Sequence, residues 1–204
     1  MRMKVITRAV VVGFSTLMLA ACTDTPSEND LQAALQPKLE GASCLQAPMF
    51  KAFPVTLENS FGNGTSTGNE PAFDALVEAG LLAKSAKTYS LTDQGRAAYV
   101  PQASGFCYAQ GYEIARIKDT ALNTGQMGPS VDKSWVVTLD IRQKPIAPWA
   151  KTPAIQKLAR NQESFSEAPK TYRVIVGTLK ADKKLQVIDP RFSIMHGVSV
   201  NQAF

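Results

Sequence analysis

Three cysteines constrain this 204-residue chain more than any other feature. Cys22, Cys44 and Cys107 can be free thiols, metal ligands or disulfide partners, and the compartment decides among these. The N-terminus bears on the compartment. Arg2, Lys4 and Arg8 precede an apolar run, "AVVVGFSTLMLAA", residues 9–21. A basic leader followed by a short apolar stretch ending in small residues is the layout of a secretory signal. The run is 13 residues long and contains Ser15 and Thr16, whereas a spanning helix needs about 20 apolar residues. A signal peptide over residues 1–21 is therefore expected, and not a transmembrane anchor.

The residues at the end of that run say more. "LAAC", residues 19–22, resembles the lipobox of bacterial lipoproteins, with a leucine three residues before the cysteine and small residues between. The resemblance implies diacylation of the Cys22 thiol, cleavage before it and acylation of the new amino group. One acyl chain binds a membrane marginally and two or more bind it stably, at roughly 0.8 kcal/mol per buried CH₂. The mature chain is then expected to meet the membrane through its N-terminal lipid, with a water-soluble body. Thr23, not aspartate, follows the cysteine. In that family's sorting pattern this points to the outer membrane, facing the periplasm.

With Cys22 carrying lipid, Cys44 and Cys107 remain as a pair in an oxidising compartment, where a disulfide is the expected state. Bridging them would close a loop of about 64 residues, worth roughly 4 kcal/mol on the chain-entropy argument. Two free buried thiols and a metal site are the other readings. The single histidine, His196, is too distant in sequence to form a ligand motif with them, and neither a metal nor a cofactor is expected. Charge also excludes a class of function. Three of the 22 Lys and Arg leave with the signal, so 19 face 17 Asp and Glu in the mature chain. That near balance leaves no basic field to recruit nucleic acid.

Along the chain, residues 22–30 read as a polar tether. "SENDLQAALQPKLEG" reads as a helix, with Ser27 or Asn29 as cap, Leu31, Leu35 and Leu39 on one face, and Gly41 as the stop. Residues 49–57, "MFKAFPVTL", read as a strand and "ENSFGNGTSTGNEP" as a loop. Its Asn63-Gly64-Thr65 matches a glycosylation acceptor in form only. In "EPAFDALVEAGLLAKSAKTYSLTDQGRAAYV", Phe73, Leu76 and Val77 share a helical face that Gly80 can end. "KTYSL" is a short strand, and Thr92 caps a second helix that stops at Pro101.

That order resembles the back half of a winged-helix domain, in which the first helix reads DNA. Here the helix carries Glu70, Asp74 and Glu78 at four-residue spacing, with no Lys or Arg before Lys84. An acidic face repels phosphate, so a protein-contact module or scaffold is expected instead. The layout "LVEAGLL…YSLTDQG…FCY" is similar to that of proteobacterial lipoproteins, a likeness that supplies a fold expectation and no activity.

After Pro101 strands predominate. Residues 105–117 and 134–143 read as strands, with Tyr108 and Tyr112 on one face of the first and Trp135, Val137 and Leu139 forming the core face of the second. Thr152 and Pro153 look like the cap and first residue of a short helix, 154–160. Residues 171–179 and 184–188 read as two strands joined by "KADKK". The expected fold class is α+β, a winged-helix-like half over residues 31–101 packed with an antiparallel sheet over residues 102–204 that carries one short helix.

Catalytic signals are sparse. There is no G-x-S-x-G, P-loop, G-x-G-x-x-G or H-E-x-x-H. His196, in "RFSIMHGVSV", is the one candidate general base, and Asp74 with Glu78 a carboxylate pair that a solvated helix face also shows. Trp149, in "APWAKTP", is a candidate contact for an envelope protein partner, since tryptophan is enriched at binding hot spots; packing the short helix onto the sheet is its other reading. Two functions remain open: a lipid-anchored binding or scaffold module without catalysis, and a small periplasmic hydrolase using His196 or carboxylates.

Overall fold

The computed structural model describes residues 25–58 and 65–200; the signal segment, Cys22 and Asn63 lie outside them. The first helix, α1 (Glu28–Leu39), opens on a reciprocal cap. Ser27 Oγ accepts from the Asp30 N–H at 3.2 Å, and the Asp30 carboxylate accepts from the Ser27 N–H at 3.3 Å. Leu31, Leu35 and Leu39 are buried together, as their four-residue spacing requires. Pro37 lies inside the helix, close enough to its end that the helix runs on only to Leu39.

The fold is α+β. Among the described residues the strands form three four-stranded sheets. In the first, β1 (Ser43–Gln46) is central. It pairs antiparallel with β7 (Gly105–Ala109), which pairs in turn with β6 (Tyr99–Val100). On its other side it pairs parallel with β12 (Val198–Ser199). The second sheet contains β2 (Val55–Glu58) and β3 (Thr65–Ser66), with the hairpin β4 (Leu82–Ser85) and β5 (Thr88–Leu91). The third runs β11–β10–β9–β8, from β8 (Tyr112–Leu122), β9 (Val131–Gln143), β10 (Lys170–Leu179) and β11 (Leu185–Val187), all antiparallel. Three further helices are α2 (Glu70–Glu78), α3 (Asp93–Ala98) and α4 (Pro153–Leu158).

Two hydrophobic clusters fill the interior. In one, α1 lies on the third sheet, its leucines against Trp135, Val137, Leu139, Ile141, Val174 and Val176. Each such side chain contributes about 1.5–3 kcal/mol by leaving water. The other gathers α2, the hairpin, β1, β7 and α4 around aromatic rings. Phe50 meets Phe73 and Phe106 edge-on at 5.6 and 5.7 Å, and Phe73 meets Tyr89 at 5.0 Å. Pairs of this kind add about 0.5–1.5 kcal/mol beyond area burial. Both clusters draw on residues from either side of Pro101, because α1 joins the later sheet and α4 packs on α2.

Two strand expectations are corrected. Residues 49–57 are not one strand: a 3₁₀ turn spans Pro48–Phe50 and only β2 is extended. Pro48 suits the start of a tight helical turn, and Pro54 has no N–H to give a ladder. Residues 105–117 split into β7 and β8 at Gly111, whose φ is +92°. A Cβ there would lie 2.6 Å from the Leu39 carbonyl oxygen, so only glycine lets the chain turn from the first sheet into the third. Tyr108 and Tyr112 therefore belong to different sheets. The helix at Thr92 forms and is capped as expected, with Gly95 N–H donating to Thr92 Oγ1 at 2.9 Å.

Cys44 and Cys107 are disulfide-bonded. Cys44 lies within β1, not before the first strand, directly opposite Cys107 in β7, with Cα atoms 3.8 Å apart. The bond spans a sequence separation of 63 residues. Cys44→Ala and Cys107→Ala should each cost about 2–5 kcal/mol, and the double variant little more than either. Chemical denaturation of the three proteins measures this; additive losses would mean that each cysteine matters by its own packing and not through the bond.

Candidate functional site

Two places on the folded body gather polar groups. The first is the seam between the two clusters, where β1 begins, β8 begins and the 193–197 segment crosses. Gly197, at φ +94°, allows that crossing: a Cβ there would sit 2.4 Å from the Cys44 carbonyl oxygen. The Tyr112 hydroxyl donates to the Met195 carbonyl at 3.0 Å. The His196 ring stands edge-on to Tyr112, centroids 5.3 Å apart. Its Nδ1 is buried without a hydrogen-bond partner. Burial pushes the Tyr112 hydroxyl above its ordinary pKa, moderated by neighbouring Ser43. Burial does the same to Tyr108, whose hydroxyl donates to the Ser164 carbonyl at 3.2 Å.

The second place is an open cleft of about 590 Å³ at the end of the first sheet. Its polar lining comes from Gln46, Lys51, Ser104, Arg160 and Ser199. The local chain explains the assembly. Pro48 turns the backbone away after β1, and the Tyr99 hydroxyl fixes Lys51 by donating to its carbonyl at 2.7 Å. Arg160 arrives because Ala159 bridges Val200 and the Arg160 N–H donates to the Ser199 carbonyl. Among the described residues neither Lys51 nor Arg160 is in an ion pair with a carboxylate, and no carboxylate lines the cleft. Two cations on one concave surface without an acid reinforce each other's potential and favour an anionic group. Sequence reasoning missed this cleft: its cations come from distant segments and share no motif.

The residues singled out from the sequence are dispersed. Cys22 lies outside the described residues, and Cys44 and Cys107 are joined. Trp149 is 6% exposed and packs edge-on to Tyr108 at 6.4 Å, so its indole belongs to the core. His196 has no hydrogen bond to a hydroxyl or carboxylate among the described residues. Ser130 and Lys133 have the S-x-x-K spacing of some acyl-transfer sites, but Ser130 sits in the turn before β9 and Lys133 in the strand, not on one helical turn. Among the described residues no cluster of His, Cys, Asp or Glu could hold a metal, and no helix is long and apolar enough to cross a membrane.

The acidic face of α2 is structural. Lys84 Nζ bridges Asp74 at 2.8 Å and Glu70 at 2.9 Å, and the Tyr89 hydroxyl donates to Asp74 at 2.8 Å. Burial would raise the Asp74 pKa, but the hydrogen bonds from Lys84 and Tyr89 outweigh it and hold the carboxyl below its ordinary value. A lowered folded-state pKa means a stability contribution that is complete above about pH 4 and lost as pH falls through the lowered value. Asp74→Asn should therefore lower stability at neutral pH by up to about 1 kcal/mol, discounted for solvent screening. Thermal melts from neutral to acid pH should show that gap closing; a constant gap would assign the loss to packing.

No protein-family model matches the chain, and neither does any curated protein or solved structure.

Proposed function

We propose that this is a lipid-anchored cell-envelope protein whose folded body binds an acidic segment of an envelope protein and performs no catalysis. The lipid on Cys22 would hold it at the outer membrane, facing the periplasm. The LAAC sequence and the polar stretch before α1 support the anchor, and the Cys44–Cys107 bond suits an oxidising compartment. The binding reading is carried by one observation, the pairing of Lys51 and Arg160 on the open cleft without a carboxylate partner among the described residues. Two exposed cations lining one concavity give it a positive potential that a partner's carboxylates would complement. The hydrolase reading has weaker support, since the His196 ring lies edge-on to Tyr112 with a buried, unpartnered Nδ1.

Cross-linking in intact envelopes, followed by pull-down, tests both parts. The wild-type protein should capture a defined partner from the membrane fraction, and Lys51→Glu with Arg160→Glu should lose it while folding normally. Cys22→Ser should leave an unprocessed precursor or a soluble periplasmic form. Equal capture by the charge-reversed protein would overturn the cleft, and unchanged membrane retention of Cys22→Ser would overturn the anchor.

A further inference from the structure

The end of the third sheet away from the first carries groups that neither the cleft nor the core uses. There β8 ends at Leu122, β9 begins at Val131, β10 ends at Leu179 and β11 begins at Leu185. Leu122 is 61% exposed; the other large apolar side chain left so open among the described residues, Met195, lies at the opposite end beside Tyr112. Half-buried Met127 lines the same hollow as Leu122. The β8–β9 loop and the β10–β11 turn meet where the Lys180 N–H donates to the Ser130 carbonyl at 2.9 Å. Lys183 donates to Asp132 at 2.9 Å and holds that carboxyl below its ordinary pKa, and Lys133 and Lys180 act on it in the same direction. The lysines of both loops therefore share one face. Lys180 and Lys184 are exposed and in no ion pair among the described residues.

The described chain also starts at this end. Thr25 lines the hollow that holds Leu122 and Met127, and a second one with Lys183 and Leu185. From there α1 runs along the sheet to Leu39, whose carbonyl crowds Gly111 where the chain enters from the first sheet. Three peptide links separate Thr25 from Cys22, a reach of at most about 11 Å. A headgroup layer is itself roughly 5–8 Å thick. A lipid on Cys22 therefore holds these two loops at the membrane surface and leaves no room to lift them clear of it.

We infer that this end of the sheet is a foot that rests on an anionic phospholipid surface. Leu122 and Met127 enter the headgroup layer, and Lys180 and Lys184 meet lipid phosphates, the combination of apolar and basic groups that membrane interfaces favour. Each contact is weak alone, but the tether keeps the foot at high effective concentration, so weak contacts suffice. The inference rests on the Cys22 anchor and adds an orientation to it. The first sheet, with its Lys51–Arg160 cleft, joins these strands at their other end, where a partner can reach it.

The test imposes the tether chemically. With Cys44 and Cys107 joined, Cys22 is the only free thiol of the mature chain, and it can be coupled to a maleimide phospholipid. The vesicles contain brominated phosphatidylcholine with phosphatidylglycerol. In Leu122→Trp, the emission added to that of the buried Trp135 and Trp149 should fall at least about twofold, because the new indole lies among lipids that quench it. Met195→Trp, at the opposite end, should keep its added emission. Lys180→Glu with Lys184→Glu, or vesicles without phosphatidylglycerol, should restore most of the Leu122→Trp emission, with the melting temperature unchanged. Unquenched Leu122→Trp, equal quenching at both positions, or quenching indifferent to the lysines and to phosphatidylglycerol would overturn the foot. None of these outcomes depends on acylation in cells, which the mass of the N-terminal peptide reads separately.

Discussion

The short ladder between β1 and β7 is the constraint on which the other elements depend. It is only a few residues long, too little for backbone hydrogen bonds alone to hold two bodies in register, and the Cys44–Cys107 bond closes it covalently. On its far side β1 receives β12, the last described strand, whose register puts Val198 against Leu45. One strand thus joins the chain's beginning, middle and end. The aromatic cluster packs on this sheet through Phe106 and Leu45, while the chain leaves β7 through Gly111 to build the sheet that α1 covers.

Such an arrangement places polar atoms between the clusters. A chain that passes repeatedly from one apolar cluster to another must carry backbone and polar side chains through the gap, and Ser43 and Gln143 occupy two of these passages. Interiors normally satisfy such groups. Here the Tyr112 hydroxyl stands beside Ser43 and the Tyr108 hydroxyl beside Gln143, under a segment whose geometry depends on Gly197 passing tightly over Cys44. The seam is therefore the structural joint between the two clusters. The cation-lined cleft lies at the other end of β1, so the joint and the cleft inherit their shape from the same strand.

Much of this architecture is legible in the sequence wherever local and tertiary preferences coincide. Ser27 followed by leucines every fourth residue reads as α1, and the alternation of Trp135, Val137 and Leu139 reads as the buried face of β9. Cysteine usage leads to the disulfide. Reading fails where a tertiary contact assigns the role. Gly111 inside an apolar run resembles a strand glycine until the approach of the Leu39 carbonyl is known. Trp149 reads as either a contact or a core residue until the Tyr108 ring placed against it settles on the core. Lys51 with Arg160 is a long-range juxtaposition that no local pattern encodes. The fold class was thus readable and the candidate sites were not.

If the stapled ladder makes one body of the two clusters, they must melt together. Scanning calorimetry of the oxidised mature protein measures this directly. The account predicts a single transition whose calorimetric and van't Hoff enthalpies agree, the signature of all-or-none unfolding. Two resolved transitions, or a calorimetric enthalpy well above the van't Hoff value, would show that the aromatic cluster and the α1-covered sheet unfold independently and that β1 is a linker between them.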